Sequence, residues 1–187
     1  DDQVWGSPAA ADMNLDGITD FIIASTDKYL YFFDQNGYNG SYFTDSFLTG
    51  TPVIGNIDND PELEVLIGGY SGGEGRMIFA INHDQTDVDG FPIYIGEKIK
   101  MGLSLADFNG NGKDDIIFGT DSDNIYLIYD DGTVADGFPF EAGSKFRSSP
   151  SILNVNGELI IIAGNNDNHV YGINSDGSLR FSVETEH

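Results

Sequence analysis

The chain has 187 residues, which is long enough for one domain with a sizeable core. Hydrophobic residues make up 40% of it, and it contains 13 Phe and 9 Tyr, so it is not a disordered acidic tail. Asp and Glu number 31 against 8 Lys and Arg, and the formal charge of −23 disfavours nucleic acid and anionic lipid as partners and favours cations. The sequence has no cysteine, which excludes disulfides and thiolate metal sites. No apolar run approaches the roughly 18 residues of a spanning helix, so we predict no membrane insertion.

The sequence consists of four copies of one unit. The copies open with GSPAAADMNLDGITDFIIAS from Gly6, GTPVIGNIDNDPELEVLIGG from Gly50, MGLSLADFNGNGKDDIIFGT from Met101 and SSPSILNVNGELIIIAGN from Ser148. A second similar run follows each of them: YLYFFDQNG, MIFAINHDQ, IYLIYDDG and VYGINSDG. We therefore treat residues 1–187 as a single module with repeats at approximately 6–49, 50–100, 101–147 and 148–187.

Each unit predicts four short strands of β-branched and aromatic residues, separated by turns rich in Gly, Asn and Asp. No segment keeps an apolar period of 3.6 residues, so we expect few helices. Four strands per unit, recurring every 40 to 50 residues or so, are typical of a propeller blade. We predict an all-β propeller of four four-stranded antiparallel blades. A β-sandwich of unrelated hairpins would not explain why whole units recur.

The number of blades does not decide how the propeller is completed. Four blades form a closed four-bladed ring, half of an eight-bladed ring that a second chain completes as a homodimer, or part of a larger propeller in a longer chain. The chain starts just before a first predicted strand and ends just after a fourth, so we expect whole blades.

The first unit carries the nonapeptide DMNLDGITD, in which oxygen-bearing side chains alternate with other residues. A loop wrapped around an ion points every second side chain inward, and Gly17 permits the sharp turn. The predicted ligands are Asp12, Asn14, Asp16, the carbonyl of Ile18, and Asp20. Hard oxygen ligands in a flexible loop favour Ca²⁺ over Mg²⁺ and zinc. An EF-hand would need a Glu where this sequence has Ile23, so the loop joins two strands instead.

Two further units repeat the loop. In the third unit the predicted ligands are Asp107, Asn109, Asn111, the carbonyl of Lys113, and Asp115. In the second unit they are Asn56, Asp58, Asp60, the carbonyl of Glu62, and Glu64, but Pro61 stands in place of the glycine. The fourth unit has a shortened loop with Ile160 where the last carboxylate belongs, so it has no site. We predict two or three bound Ca²⁺ ions with a structural role, because crowded carboxylates repel one another until an ion neutralises them.

These loops resemble the calcium-binding repeats of integrin α-subunit propellers and of their bacterial and archaeal relatives, the FG-GAP and VCBS-type repeats. The resemblance covers nearly the whole chain and is strongest at 12–20 and 107–115. It implies Ca²⁺ between the first two strands of a blade, and a secreted or cell-surface protein used for adhesion, ligand display or as a module of a polysaccharide-active protein. The modest charge of the loops also suits the calcium-rich extracellular space.

The sequence contains no recognisable catalytic motif, since it lacks a nucleophile elbow and a phosphate-binding glycine loop. Lys98 and Lys100, and likewise Lys145 and Arg147, precede the first strands of units three and four and predict a small basic patch. The loop GGYSGGEGR, residues 68–76, either contacts a ligand through Tyr70 and Arg76 or has no partner.

The sequence favours a non-enzymatic function, with no catalytic residues: an extracellular, calcium-stabilised platform for adhesion or for binding a protein or glycan. The alternative is a catalytic or accessory propeller module of a carbohydrate-active enzyme such as a polysaccharide lyase. A third possibility is a structural spacer without a partner.

Overall fold

The computed structural model describes residues 2–72 and 76–185, and part of the predicted ligand loop, residues 73–75, lies outside them. Blade 1 contains β1 (Ala9–Ala11), β2 (Asp20–Ala24), β3 (Tyr29–Asp34) and β4 (Gly37–Phe43). A short strand, β5 (Ser46–Phe47), follows it. Blade 2 contains β6 (Val53–Gly55), β7 (Glu64–Gly68), β9 (Met77–Ile81) and β10 (Ile93–Tyr94), and β8 (Ser71–Gly72) pairs with β5.

Blade 3 contains β11 (Ser104–Ala106), β12 (Asp115–Gly119), β13 (Asn124–Ile128) and β14 (Phe140–Glu141). Blade 4 contains β15 (Ser151–Val155), β16 (Glu158–Gly164), β17 (His169–Asn174) and β18 (Leu179–Glu184). In every blade the four strands lie side by side in chain order, and each pairs antiparallel with the next. The predicted division into four four-stranded units is confirmed. The described residues contain no helix long and apolar enough to cross a membrane.

The core lies between the blades. One hydrophobic cluster joins blades 1 and 2 through Ile22 and Ile67, the next joins blades 2 and 3 through Leu66 and Phe118, and a third joins blades 3 and 4. The second strands of the middle blades, β7 and β12, are buried at every position because each middle blade has a neighbour on both faces. This two-sided burial explains why these strands are nearly continuous apolar runs.

The first strands of successive blades lie against one another in the order β1, β6, β11, β15. The close approach explains the glycines at the start of the repeats. A Cβ at Gly6 would lie 2.3 Å from the carbonyl oxygen of Gly50, and a Cβ at Gly50 would lie 2.6 Å from that of Met101. Only glycine lets the segments entering neighbouring blades touch in this way.

The two terminal blades each leave one face open. On blade 1 the side chains of Phe21 and Tyr38 are 45% and 64% exposed, and on blade 4 those of Leu179 and Val183 are 51% and 55% exposed. Within residues 2–72 and 76–185, no hydrophobic cluster joins blade 4 to blade 1. The described chain is therefore an arc of four blades, and a closed four-bladed ring is not seen.

The antiparallel order gives each blade two chemically different ends. Connections from first to second strand and from third to fourth lie at one end, which we call the acidic end; it includes residues 12–20, 56–64 and 107–115. The remaining connections lie at the opposite, cationic end, which includes residues 95–103 and 142–150. The predicted metal loops and the predicted basic patch are thus separated by the length of the strands.

Candidate metal loops and a cationic cleft

The first and third loops fold in the same way around their first carboxylate. Asp12 accepts the backbone N–H of Asp16 at 3.0 Å and that of Gly17 at 2.8 Å, and Asp107 accepts the N–H of Gly112 at 2.8 Å. Gly17 and Gly112 have φ of +88° and +90°, a conformation that favours glycine. The sharp turn expected at Gly17 is therefore present in the first loop, and Gly112 forms the matching turn in the third. Within each loop, the predicted ligand side chains turn inward onto backbone N–H groups.

The last carboxylate of each loop accepts the N–H of the loop's second residue. The pairs are Asp20 with Met13 at 3.1 Å, Glu64 with Ile57 at 2.8 Å, and Asp115 with Phe108 at 2.7 Å. Glu64 and Asp115 are 1% and 0% exposed. Burial raises the pKa of both carboxyls, that of Glu64 to about 7, and the charges of Asp58 and Asp60 act on Glu64 in the same direction.

The second loop brings its carboxylates closest together. Oxygens of Asp58, Asp60 and Glu64 all lie within 4.8 Å of one another, and they form the one acidic group of this kind found among the described residues. Its turn differs from that of the other loops because Pro61 has no N–H to donate. Instead, the side-chain amide of Asn56 donates to the carbonyl of Asp60 at 2.8 Å. The loop with the least typical sequence thus has the tightest carboxylate cluster.

In the third loop, a lysine and a neighbouring turn contribute to the site. The ammonium of Lys113 lies 2.6 Å from Asp130, and the amide of Asn111 donates to the same carboxylate at 2.7 Å. Asp130 belongs to the connection between β13 and β14 and was not among the predicted site residues. Its only sequence signal was membership of the acidic pair Asp130 and Asp131 in the next turn. The ammonium already neutralises part of the charge that an ion would neutralise.

The loops of adjacent blades are hydrogen-bonded to one another. Leu63 of the second loop donates its N–H to the carbonyl of Met13 in the first, at 2.8 Å. Asn56 of the second loop and Asp114 of the third exchange two bonds, at 3.2 Å and 2.8 Å. An ion that orders one loop would therefore also order the contact with the next blade.

The fourth unit has no such loop. Asn156 and Gly157, with φ of 55° and 92°, form a tight turn that joins β15 directly to β16. Positive φ at both central residues is the geometry that an Asn-Gly hairpin turn requires. The shortened sequence therefore forms a hairpin turn in place of the nine-residue loop.

The cationic end contains a cleft of about 240 Å³ lined by Arg76, Gly96, Glu97, Lys98, Asp121, Ser122 and Lys145. Of the two predicted ligand-contacting residues, Arg76 thus lines the cleft. Tyr70 lies beside it, with its ring centre 5.3 Å from the ammonium of Lys98. The structure brings them together with lysines from two other connections, which the sequence placed only in a general basic patch.

No protein-family model matches the sequence, and no curated protein matches it significantly. Solved structures are similar in fold. One of BBS1N in complex with ARL6DN has a TM-score of 0.73 and 12% identity, over 98% of this chain and 55% of that one. BamB from Moraxella catarrhalis has a TM-score of 0.65 and 14% identity, over 98% and 52%. The fold is a β-propeller. A protein of unknown function from Bacteroides caccae has a TM-score of 0.53 and 12% identity, over 89% and 57%.

The chain spans about half the length of these three solved proteins. That proportion agrees with the open faces of blades 1 and 4, because larger propellers have further blades where this arc ends. The similarity concerns the fold alone, so the resemblance to FG-GAP and VCBS-type repeats stays a prediction.

Proposed function

We propose that this propeller is a non-catalytic binding platform that works outside the cell, with Ca²⁺ in its acidic loops. The observation that carries the proposal is the separation of two chemistries along the strands. One end of the blades gathers carboxylate loops, and the other gathers cations around a cleft. A rigid sheet that carries a structural end and a binding end is suited to presenting a surface to a ligand.

The donor set at the acidic end fits a hard cation. Asp58, Asp60 and Glu64 offer converging carboxylate oxygens, and Glu64 is buried with a raised pKa, so its ionised form lacks a compensating charge. Ca²⁺ would supply that charge and accepts the irregular oxygen shells that such loops provide. In the first loop the holding residues would be Asp12, Asn14, Asp16 and Asp20, and in the third loop Asp107, Asn109, Asn111 and Asp115. Bound Ca²⁺ would stabilise the loops at this end of the blades.

Support for a binding role comes from the fold. BBS1N, a propeller with a similar arrangement over this length, was solved in complex with another protein, ARL6DN. We propose that this chain also binds a macromolecular partner, a protein or a glycan, through its cationic end. Its place outside the cell follows from the proposed ion, since loops of modest charge need the calcium concentrations found there.

Calorimetric titration of Ca²⁺ into chelator-treated protein tests the structural half of the proposal, with Mg²⁺ as the control ion. We expect two or three ions to bind in preference to Mg²⁺. Asp16→Asn and Glu64→Gln should each weaken one binding event. Asp34→Asn, which also removes an acid from this end of the blades but outside the loops, should leave all events unchanged. No calcium binding would overturn the metal assignment.

Incubation with acidic polysaccharides, followed by analysis of the products, tests the non-catalytic half. We expect bound but uncleaved polysaccharide. Appearance of shortened chains would replace the binding platform by the carbohydrate-active enzyme that the sequence left as the alternative.

A further inference from the structure

The cationic cleft carries uncompensated positive charge on a strongly acidic protein. The side chains of Arg76, Lys98 and Lys145 line it, although the chain has a formal charge of −23. None of the three forms an ion pair with an acidic residue in 2–72 or 76–185. The cations that do are Lys28, Lys113, Arg147 and Arg180. With so many acids available, three cations in one cleft that pair with no acid of the described residues indicate a place for an anionic group.

Two carboxylates share this cleft, and both are held rigidly. The guanidinium of Arg147 donates two hydrogen bonds of 2.7 Å to the carboxylate of Asp121. This pairing lowers the pKa of the Asp121 carboxyl below its ordinary value and neutralises its charge locally. Among the described residues, Glu97 is bound only by neutral donors: Thr120 at 2.5 Å, Asn124 at 2.9 Å and 3.2 Å, and Tyr126 at 2.9 Å. Glu97 is therefore a carboxylate fixed in place at the wall of the cleft, with both oxygens bonded to its neighbours.

Fixed acceptors next to unpaired cations fit a ligand that carries one negative group among several hydroxyls. We propose that this cleft binds the carboxylated sugar unit of an acidic glycan. The sugar carboxylate pairs with Lys98, Lys145 and Arg76, and sugar hydroxyls donate to Asp121 and exchange hydrogen bonds with Ser122. This inference rests on the proposed function and names the ligand class for it.

The same arrangement disfavours an acidic peptide. Such a peptide carries several carboxylates and few hydroxyls, so Glu97 would repel it and the acceptors would have no donors to bind. The formal charge of −23 adds a repulsion that grows with the number of negative groups on the ligand. A volume of about 240 Å³ suits one sugar ring with its substituents rather than a folded surface.

Tyr70 acts as a positioning residue for Lys98. Its ring lies beneath the ammonium at 5.3 Å, a distance at which a cation and an aromatic face attract each other. Tyr70 thereby holds the charge at the rim of the cleft without being part of its lining. Tyr70→Leu should weaken binding of the sugar less than removal of Lys98 does.

The test is calorimetric titration of trigalacturonate into the full chain in calcium-containing buffer, with the methyl ester of the same trimer as the uncharged control. We expect the acid to bind and the ester to bind about tenfold or more weakly, with an affinity for the acid that falls as salt is added. Lys98→Met and Lys145→Met should each reduce affinity about tenfold. Lys100→Met removes a charge from the same segment but not from the cleft lining, so it should reduce affinity less than Lys98→Met does.

Several results would overturn the inference: no binding of the trimer, equal affinity for acid and ester, or equal losses in Lys98→Met and Lys100→Met. Tighter binding of hexa-aspartate at the same cleft would replace the sugar by an acidic peptide. Thermal unfolding of each variant checks that the fold is kept, because Lys98 and Lys100 are half-buried whereas Lys145 is exposed. If calcium binds and the trimer does not, only this inference fails. If the trimer binds and is cleaved, the cleft assignment stands and the non-catalytic function fails.

Discussion

The two ends of the blades differ in how their charges are compensated. At the acidic end, carboxylates such as Glu64 and Asp115 are buried and bound mainly by backbone N–H groups, so burial raises their pKa. At the cationic end, Asp121 is matched by a guanidinium and Lys98 by an aromatic ring, while Arg76 and Lys145 line a cleft. The same strands therefore carry acidic groups without a counter-charge at one end and basic groups around a cleft at the other.

Removing calcium should give the largest loss of stability, because it removes the binding free energy of every occupied loop at the acidic end. At a free concentration of about 100 times Kd, each site contributes about 2.7 kcal/mol, so two sites contribute about 5 kcal/mol. For a domain of this size we expect chelation to lower the unfolding midpoint by roughly 10–20 °C. Calorimetry in Ca²⁺, in Mg²⁺ and in chelator measures this. Identical unfolding midpoints in all three buffers would mean that calcium does not stabilise the acidic end.

The pH dependence of the calcium-free protein should follow Glu64. Its carboxyl has a pKa of about 7 in the folded state and near 4.5 when unfolded. The folded state therefore binds the proton more tightly, and the resulting stability is fully present below about pH 4.5 and is lost as the pH rises through 7. We expect a loss of up to about 3 kcal/mol across this window.

Chemical denaturation between pH 4.5 and 8, with chelator present, measures the dependence on Glu64. The matched variant is Glu64→Gln, which keeps the shape and removes the titration, and it should flatten the slope. An unchanged slope in the variant would assign the dependence to other groups.

An arginine–carboxylate pair at each end provides a direct comparison. Arg147 and Asp121 are paired at the cationic end, with Asp121 9% exposed, whereas Arg180 and Glu158 are paired at 2.7 Å at the acidic end, with exposures of 36% and 52%. Arg147→Met should cost about 1–3 kcal/mol because it leaves a nearly buried carboxylate without its partner. Arg180→Met should cost less than about 1 kcal/mol, since water screens exposed pairs. Equal costs in urea denaturation would contradict this ranking.

The smallest expected effect is a gain in stability within the first loop. Leu15 has a φ of 57° and is 54% exposed, and Gly110 takes the same position in the third loop with a φ of 77°. A branched apolar side chain is disfavoured in this conformation, whereas Asn tolerates it. Leu15→Asn should therefore stabilise the protein by about 0.5–1 kcal/mol. Gly110→Leu is the reverse control and should destabilise it by a similar amount in thermal unfolding.

The metal loops could be predicted in part. Gly17 and Gly112 form the sharp turns that the sequence predicts, with positive φ, because a short loop offers few conformations and the spacing of Asp, Asn and Gly specifies one of them. Local sequence did not indicate that the second loop would gather its carboxylates most closely, or that Asp130 would join the third. Those contacts depend on Pro61 redirecting a turn and on a connection two strands away, so local spacing carries no signal for them.

The repeat by itself determined the strands, the turns and the grouping into blades, because alternation, β-branched runs and Asn-Gly pairs act over a few residues. The Asn156-Gly157 hairpin is the clearest case. Only the tertiary structure decided which connections share an end and which charges meet there. Lys98, Asp121 and Lys145 come from separate turns, and the antiparallel order of the strands, together with the packing of blade 2 on blade 3 and of blade 3 on blade 4, brings them into one cleft. It also left blades 1 and 4 with open faces, since whether a face is covered depends on what packs against it.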